Sequence, residues 1–322
     1  MNILITSAGI RGYIVKYFKE TMKDIGRVYA ADCSLYAPAL YDADDFFILP
    51  KVNDEKYIVK LLEKCKKYDI KCIVSLNDVE LPILSNNKKR FEKEGINIVI
   101  SEPKVIDICY DKYKTYNFLK ENGFKSVKTY VEIEKVKDDL KKGLIKFPIL
   151  IKPRWGSASK DIVKVSSKKE LENQYANNKD LIIQEFIDGE EFGVDIFNNS
   201  NKKNITVFAK KKIKMRAGET DKAVTYYDED LIRKSSKLAE SIGLYGPGDI
   251  DVFKYNDEYF FMEINPRFGG GYPLAHSIGA GFPKKIIDMI LGKKLKKVFI
   301  KYPENVVMMK QYEIVIRDIW KK

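Results

Sequence analysis

Short apolar runs alternate with amphipathic stretches over the first hundred residues, and this alternation restricts the fold more than any other feature of the sequence. The runs at 2–6, 27–31, 71–75 and 97–100 predict strands, and the stretches at 12–23 and 54–67 predict helices between them. Strands that alternate with helices form parallel sheets. We therefore predict an α/β fold that begins with a Rossmann-like domain.

The rest of the chain predicts an α+β architecture. A helix is expected at 104–122, followed by strands at 126–131, 147–152, 161–164, 181–186, 191–197, 204–209, 213–216, 248–254 and 259–265, with helices at 228–242 and 283–291. The last third is predicted to be largely antiparallel. We expect three domains, at 1–105, 106–187 and 188–322.

Composition narrows the class of protein. No apolar run of the 322 residues approaches the length that spans a bilayer, and 1–6 resembles a first strand rather than a signal peptide, so no membrane partner is expected. The four cysteines form no close pair and His276 is the single histidine, which disfavours disulfide and zinc frameworks. A cytoplasmic location is expected.

The net charge of +12 suggests either nucleic-acid binding or a lysine-rich solvated surface. Lysines are spread along the whole chain, and no aromatic–basic motif stands out. We expect no nucleic-acid partner and a preference for anionic small ligands such as nucleotides.

The turn at 7–12 and Asp32 lie where a dinucleotide-binding fold would hold its ligand. Only Gly9 and Gly12 are present there, so the three-glycine fingerprint is incomplete, although an NAD(P)-dependent oxidoreductase remains an alternative. Candidate substrate ligands at the predicted strand ends are Arg11, Asp78 and Glu80. Turn capping or surface charge is the alternative for each.

Two late strands place acidic side chains on one face. Alternation along the strands assigns Asp249, Asp251, Glu263 and Asn265 to this face, and Ile250, Val252, Phe260, Met262 and Ile264 to the other. Opposed like charges destabilise a sheet, and these strands carry no Lys or Arg between the acidic residues. A solvent-facing acidic pair of strands is one interpretation. The other is a hard cation, Mg²⁺ or Mn²⁺, held by oxygen ligands.

The register of these strands depends on their connection. Asp251 and Glu263 share a face only if the connection has an odd number of residues. We therefore predict a three- or five-residue connection around 256–258.

Two further stretches suit phosphate chemistry. Arg267 is followed at once by 268–271, where bare glycines allow close backbone approach to a ligand. Lys152 ends an apolar strand and requires an anionic partner if buried, and a loop of small residues follows it. A simple hairpin with a strand-end lysine is the alternative for the second stretch.

The sequence resembles the ATP-grasp superfamily over almost its whole length, and most closely the carbamoyl-phosphate-synthase-like branch of carboxylate–amine ligases. The matching motifs are Asp111-Lys112, the strand at 149–153 with its loop, the stretch at 184–192, and Met262-Glu263-Ile264-Asn265-Pro266-Arg267. The last is the most specific.

The resemblance implies roles for the matching residues. The implied phosphate ligands are Lys112 and Lys152, under a loop that contains Ser157, Ala158, Ser159 and Lys160. The implied adenine and ribose contacts are Glu185, Phe186, Ile187 and Glu191. The implied Mg²⁺ or Mn²⁺ ligands are Asp251, Glu263 and Asn265, with Arg267 stabilising the transferred phosphoryl group.

Several basic residues have more than one interpretation. The loop after Lys152 contains one glycine, Gly156, where many relatives have several. Arg216 is a candidate catalytic or substrate contact on a basic strand, and Lys222 is a weaker one. Solvated charge is the alternative for Lys212 and Lys214. His276 either binds the substrate carboxylate, acts as a base for the amine, or packs structurally.

The expected activity is an ATP-dependent carboxylate–amine ligase that activates a small carboxylic or amino acid as an acyl phosphate and releases ADP and phosphate. ATP and Mg²⁺ are the expected cofactors, and a small carboxylate and an amine are the expected substrates. A homodimer is compatible with such a scaffold. The alternatives are bicarbonate-dependent carboxylase or carbamate chemistry and a non-catalytic ATP-binding protein.

Overall fold

The computed structural model of the protein describes residues 1–156, 161–175, 178, 180–297, 301–311 and 313–318. The helices are α1 Gly12–Met22, α2 Tyr57–Lys67, α3 Leu81–Glu92, α4 Pro103–Tyr110, α5 Lys112–Glu121, α6 Ile133–Lys141, α7 Lys168–Tyr175, α8 Glu229–Ile242, α9 Tyr272–Ser277 and α10 Phe282–Ile290. The strands are β1 Asn2–Thr6, β2 Val28–Asp32, β3 Asp45–Ile48, β4 Ile70–Ser75, β5 Asn97–Ile98, β6 Thr129–Tyr130, β7 Ile149–Pro153, β8 Val163–Val165, β9 Leu181–Glu185, β10 Glu190–Asn198, β11 Asn204–Arg216, β12 Glu219–Thr225, β13 Gly246–Tyr255, β14 Glu258–Asn265 and β15 Val307–Met309. No helix in these ranges is long and apolar enough to cross a membrane.

The N-terminal sheet is parallel, with strand order β3-β2-β1-β4-β5, which confirms the predicted Rossmann-like topology. The chain leaves β1 towards one edge and later crosses back to β4, so the loops after β1 and β4 meet at a switch point. The apolar residues of β1 are fully buried, as the pattern predicts. Strand β3 and helix α3 were not predicted, because their apolar periodicity is weak.

The remaining strands of the described residues form two antiparallel sheets. The small sheet has the order β6-β9-β7-β8 and packs against α6 and α7 through a separate apolar core. The large sheet has the order β14-β13-β10-β11-β12-β15 and packs against α8. Strand β11 is continuous over Asn204–Arg216, so the prediction of two separate strands there is wrong. The basic run that suggested an interruption lies within the ladder, since Lys210 and Lys212 have carboxylate partners nearby.

The predicted helix at 104–122 is two helices, α4 and α5, separated at Asp111. Asp111 has an extended backbone, with φ −102° and ψ 107°, and its carboxylate accepts hydrogen bonds from the backbone N–H groups of Tyr113 and Lys114. It therefore caps the N-terminus of α5. Arg154 contacts the same carboxylate at 2.6 Å. The break thus ties α5 to the strand-end loop of the small sheet.

The β13–β14 hairpin has a two-residue turn, so the predicted odd-length connection is wrong. Asn256 and Asp257 both have positive φ, 49° and 57°, as the tight hairpin turn requires. Asp251 nevertheless pairs with Glu263, because the register shifts by one residue at Met262. The extra residue of this bulge places Asp251 and Glu263 on the same face, as an odd-length connection would have done.

The bulge also changes which apolar side chains face the core. Tyr259 and Phe261 are buried, whereas Phe260 and Met262 are only partly buried, so the predicted face of these two residues is wrong. Met262 instead lines the cleft described next.

Candidate active site

A cleft of about 490 Å³ is lined by residues of the small sheet, the large sheet and the first turn of the N-terminal domain. This volume is ordinary for a small-molecule site. The sequence-predicted site residues that line it are Arg11, Lys112, Lys152, Glu191, Asp251, Glu263, Asn265 and Arg267. The fold therefore brings together residues from opposite ends of the sequence, from Arg11 to Arg267.

The acidic face of β13 and β14 is compensated by lysines of two other strands, β11 of the same sheet and β7 of the small sheet. Lys212 Nζ lies 2.5 Å from Asp251 Oδ1 and 2.8 Å from Glu191 Oε1, and Lys152 Nζ lies 2.9 Å from Glu263 Oε1. These lysines of other strands supply cationic compensation that the sequence of β13 and β14 lacks. The solvated-charge alternative is wrong for Lys212, whose side chain is 5% exposed.

The two carboxyl groups differ in their ionisation. Burial raises the pKa of Asp251 to about 6, against the attraction of Lys212. Burial also opposes ionisation of Glu263, but Lys152 and Lys112 outweigh it and lower the pKa of that carboxyl to about 2. Glu263 is thus the more strongly ionised of the pair.

Gly193 on β10 allows the lysines of β11 to reach across to β13. It pairs with Lys210 on one side and with Asp251 on the other. A Cβ atom at Gly193 would lie 3.2 Å from Cε of Lys210 and 3.2 Å from Cε of Lys212. Lys210 passes this point to contact the fully buried Asp195 at 2.5 Å. Sequence reasoning missed this pair, because nothing local indicates which strands become neighbours.

The predicted metal ligands are two carboxylates and one amide on the adjacent strands β13 and β14. Asn265 Nδ2 lies 3.5 Å from Asp251 Oδ2, and Glu263 pairs directly with Asp251. Among the described ranges, no group of three or more His, Cys, Asp or Glu side chains is placed to hold a metal ion. The oxygen donors present fit Mg²⁺, which usually takes only one or two protein carboxylates and completes its shell with phosphate and water.

Arg267 is held at the end of the cleft by the N-terminal domain. Its Nη2 lies 2.6 Å from Asp78 Oδ2, with side-chain exposures of 8% and 11%. Burial disfavours the guanidinium, but Asp78 outweighs this and raises the pKa of Arg267. Its Nη1 donates to the carbonyl of Phe268, and its buried Nε has no hydrogen-bond partner within the described part of the chain. One donor of Arg267 thus remains for a ligand.

Arg11 forms a second link between the N-terminal domain and the cleft. Its Nε and Nη2 contact Glu219 Oε1 at 2.8 and 2.7 Å. Its Nη1 donates to the carbonyls of Leu76 and Phe268 at 3.0 and 3.2 Å. The side chain therefore spans the loops after β1, β4 and β14.

Several sequence-predicted residues lie outside the cleft lining, among them Asp78, Glu80, Arg216 and His276. Glu80 is fully buried, where it accepts hydrogen bonds from the hydroxyls of Ser7 and Ser75, at 2.7 and 2.6 Å, and from Tyr57. It anchors the loop that carries Asp78 and does not face a ligand.

His276 and Arg216 are also outside. The His276 ring stacks on Tyr17 at 3.7 Å, and burial lowers its pKa. Arg216 Nη2 lies 3.3 Å from Asp221 Oδ2 and lines a separate cavity. Lys214 is exposed, and Lys222 is half-buried beside β15.

The end of the cleft near the small sheet is more apolar. Leu150, Phe253 and Met262 line it, together with the buried Gln184. Gln184 Nε2 donates to Thr129 at 2.8 Å, and its buried Oε1 has no partner in the described ranges. Sequence reasoning did not select Gln184, although it begins a motif that the resemblance singled out.

The predicted adenine contacts and loop residues are not part of the cleft lining that the structure describes. The backbone N–H of Glu185 donates to Lys128, and burial raises the pKa of the Glu185 carboxyl. Lys164 lies 3.8 Å from the centre of the Phe186 ring. Glu185, Phe186 and Ile187 do not belong to the cleft lining. Ser157, Ala158, Ser159 and Lys160 lie outside the described residues.

Sequence families match both parts of the chain. Residues 109–271, about half of the chain, match the ATP-grasp domain family, and residues 3–99 match the PylC-like, N-terminal domain family. The carbamoyl phosphate synthase large chain of Pseudothermotoga lettingae is 26% identical over 231 residues, which cover 66% of this chain and 21% of that protein. An uncharacterized protein of Methanocaldococcus jannaschii is 26% identical over 305 residues, which cover 88% of this chain and 74% of that protein.

Solved structures share the fold. The dimeric biotin carboxylase domain of Hydrogenobacter thermophilus 2-oxoglutarate carboxylase, solved with MgADP, ADP and bicarbonate, superposes with a TM-score of 0.78 at 17% identity, covering 95% of this chain and 73% of that one. N5-carboxyaminoimidazole synthetase of Staphylococcus aureus, solved with ADP, has a TM-score of 0.71 at 19% identity, covering 92% and 78%. At these identities the likeness concerns the fold alone.

Proposed function

The chain belongs to the ATP-grasp family, and from this premise we propose that it is an ATP-dependent carboxylate–amine ligase that activates a small carboxylic or amino acid as an acyl phosphate. The observation that carries the proposal is the arrangement of Asp251 and Glu263 opposite each other, with Lys152 and Arg267 in the same cleft. The chain spans about a fifth of the carbamoyl phosphate synthase that it matches, so its substrates are part of this proposal.

The ion pairs of the cleft suggest how the nucleotide binds. In this structure Lys152 forms an ion pair with Glu263, and Lys212 forms one with Asp251. When ATP enters, Lys152 and Lys112 turn to its phosphates, so every buried charge keeps a partner. Asp251, Glu263 and Asn265 would hold Mg²⁺, and the ion would neutralise phosphate charge. Adenine lies at the apolar end, where Gln184 offers its unpaired carbonyl oxygen.

The chemistry needs charge neutralisation rather than a side-chain nucleophile. A carboxylate is a poor electrophile, and transfer of the γ-phosphoryl group from ATP gives its carbonyl a phosphate leaving group. The two approaching anions repel each other, so Lys152 and Arg267 must stabilise the transferring group. Arg267 suits this role because Asp78 fixes it and one of its donors remains available.

A trapping experiment tests the proposal. ADP release and hydroxamate formation are measured with hydroxylamine, Mg²⁺ and ATP, over the twenty amino acids, small carboxylic acids and bicarbonate. An acyl phosphate gives a hydroxamate with the acid that is activated. ADP release that depends on bicarbonate alone would instead indicate carboxylase chemistry, and no acid-dependent ADP release would contradict the ligase assignment.

The matched variants are Glu263→Gln and Glu258→Gln on the same strand. Glu258 is half-exposed at the far end of β14, where it contacts Lys125. Glu263→Gln should abolish hydroxamate formation without unfolding the protein, and Glu258→Gln should retain it. Full turnover in Glu263→Gln would exclude this carboxylate from the machinery.

A further inference from the structure

A second cavity, of about 510 Å³, lies beside the cleft, and Glu219 lines both. We propose that this cavity binds the amine that attacks the acyl phosphate, and that Glu219 receives its ammonium group. The inference rests on the proposed ligase activity. The expected ligand is a primary amine of amino-acid size with an apolar body.

The position of Glu219 connects the cavity with the phosphoryl end of the cleft. Arg11 joins Glu219 to the carbonyl of Phe268, the residue that follows Arg267. A Cβ atom at Gly270 would lie 3.0 Å from Cβ of Glu219, so the glycine loop runs directly along this side chain. A nucleophile held at Glu219 therefore lies beside the group that would bind the acyl phosphate.

The contacts of Glu219 differ in how easily they exchange. Arg11 holds one oxygen through two nitrogen atoms, and its side chain is 13% exposed. Lys310 contacts the other oxygen at 2.8 Å from a side chain that is 25% exposed. Lys310 makes the single contact and is the more exposed of the two partners, so an ammonium group can replace it while Arg11 keeps the carboxylate in place.

The charges of the cavity favour a cation over an anion. The three basic residues of its described lining already have carboxylate partners: Lys16 with Asp42, Arg216 with Asp221, and Lys310 with Glu219. An anionic ligand would have to break one of these pairs without replacing the cation. An ammonium ligand would take the place of Lys310, so the carboxylate of Glu219 would keep a cationic partner.

Apolar side chains form the other part of the cavity wall, and they favour a ligand with an apolar body. Ile10 is 72% exposed and Met309 is 66% exposed, and both line this cavity. Pro38 and Pro273 add apolar surface. The buried hydroxyl of Tyr13 has no hydrogen-bond partner within the described part of the chain and offers one polar contact.

The reaction balances without a further reactant. The ammonium group first loses one proton to solvent. Its nitrogen lone pair then forms the C–N bond, and the bond between the acyl carbon and the phosphate oxygen breaks with its electrons on phosphate. Phosphate and solvent take up the two protons that the ammonium group loses. Glu219 binds the amine and is not its base, since its pKa is low.

The test separates amine binding from activation. Hydroxylamine, which is small and uncharged at neutral pH, reports the acyl phosphate, while KM is measured for the best amine among the twenty L-amino acids and n-butylamine. We expect Glu219→Gln to raise the amine KM at least tenfold and the KM for hydroxylamine far less, because hydroxylamine carries no ammonium group for Glu219 to bind. The control is Glu190→Gln, an exposed carboxylate on the same sheet, which should change neither.

A second variant keeps the inference testable if Glu219→Gln folds poorly. Ile10→Trp should fill the cavity and raise the amine KM, again with hydroxamate formation retained. An unchanged amine KM in both variants overturns the inference. A wild type that forms hydroxamate but accepts no amine of the panel overturns it as well. No hydroxamate in the wild type would instead overturn the ligase assignment itself.

Discussion

Replacing Asp78 with asparagine removes the charge that Arg267 contacts at 2.6 Å and leaves the size of the side chain unchanged. Both side chains are about nine-tenths buried. Breaking a buried pair by removing one charge costs about 3–5 kcal/mol. Asparagine keeps one acceptor oxygen, so we expect the free energy of unfolding to fall by about 3 kcal/mol, the lower end of that range.

The same substitution should impair catalysis, because Asp78 positions Arg267 from the N-terminal domain. A displacement of about 1 Å in a catalytic group costs about 10²-fold in rate. We expect kcat for hydroxamate formation to fall by roughly this factor, with the KM for ATP nearly unchanged. Urea unfolding and steady-state ADP release measure the two effects.

The control is Asp257→Asn in the β13–β14 turn, where the side chain is 98% exposed. It should leave both stability and kcat unchanged. A full kcat in Asp78→Asn would show that the pair is structural only. Unchanged stability together with full kcat would refute the reasoning that Arg267 depends on Asp78.

Further predictions concern single residues of the cleft and its margins. Lys152→Ala removes a charge-assisted phosphate contact and should weaken ADP binding at least about tenfold in calorimetry, whereas unchanged affinity would exclude Lys152 from the nucleotide site. Gly193→Val should lower the free energy of unfolding by about 1–3 kcal/mol, because its side chain crowds Lys212, and wild-type stability in urea would contradict this. Burial opposes ionisation of Glu219, but Arg11 and Lys310 lower its pKa from 4.5 to about 2. Its stabilising effect should be full above about pH 4.5 and lost as the pH falls towards 2, so the stability difference from Glu219→Gln, at most about 3 kcal/mol, should shrink over that range.

The N-terminal sheet could be predicted because its strands and helices differ in apolar period. Strands such as Asn2–Thr6 are buried on both faces and are continuous apolar runs. The carboxylates of the site could also be found, since side chains alternate along Gly246–Tyr255 whatever the strand pairs with. Local pattern was sufficient for these features.

The ion pairs and the register could not be predicted, because they depend on distant neighbours. The bulge at Met262 shifts the hairpin by one residue without any glycine or proline to signal it. Lys212 reaches Asp251 only because β10 lies between their strands and has a glycine at the crossing point. Asp78 meets Arg267 across 189 residues of sequence. Such contacts follow from strand order, which propensity does not encode.

The central claim is that a divalent ion and a nucleotide share the cleft through Asp251 and Glu263. The direct test is calorimetric titration of ADP, with Mg²⁺ and with EDTA, into the wild type and into Glu263→Gln. We predict that Mg²⁺ tightens ADP binding in the wild type and has little effect in Glu263→Gln. An equal Mg²⁺ effect in both proteins would contradict the claim.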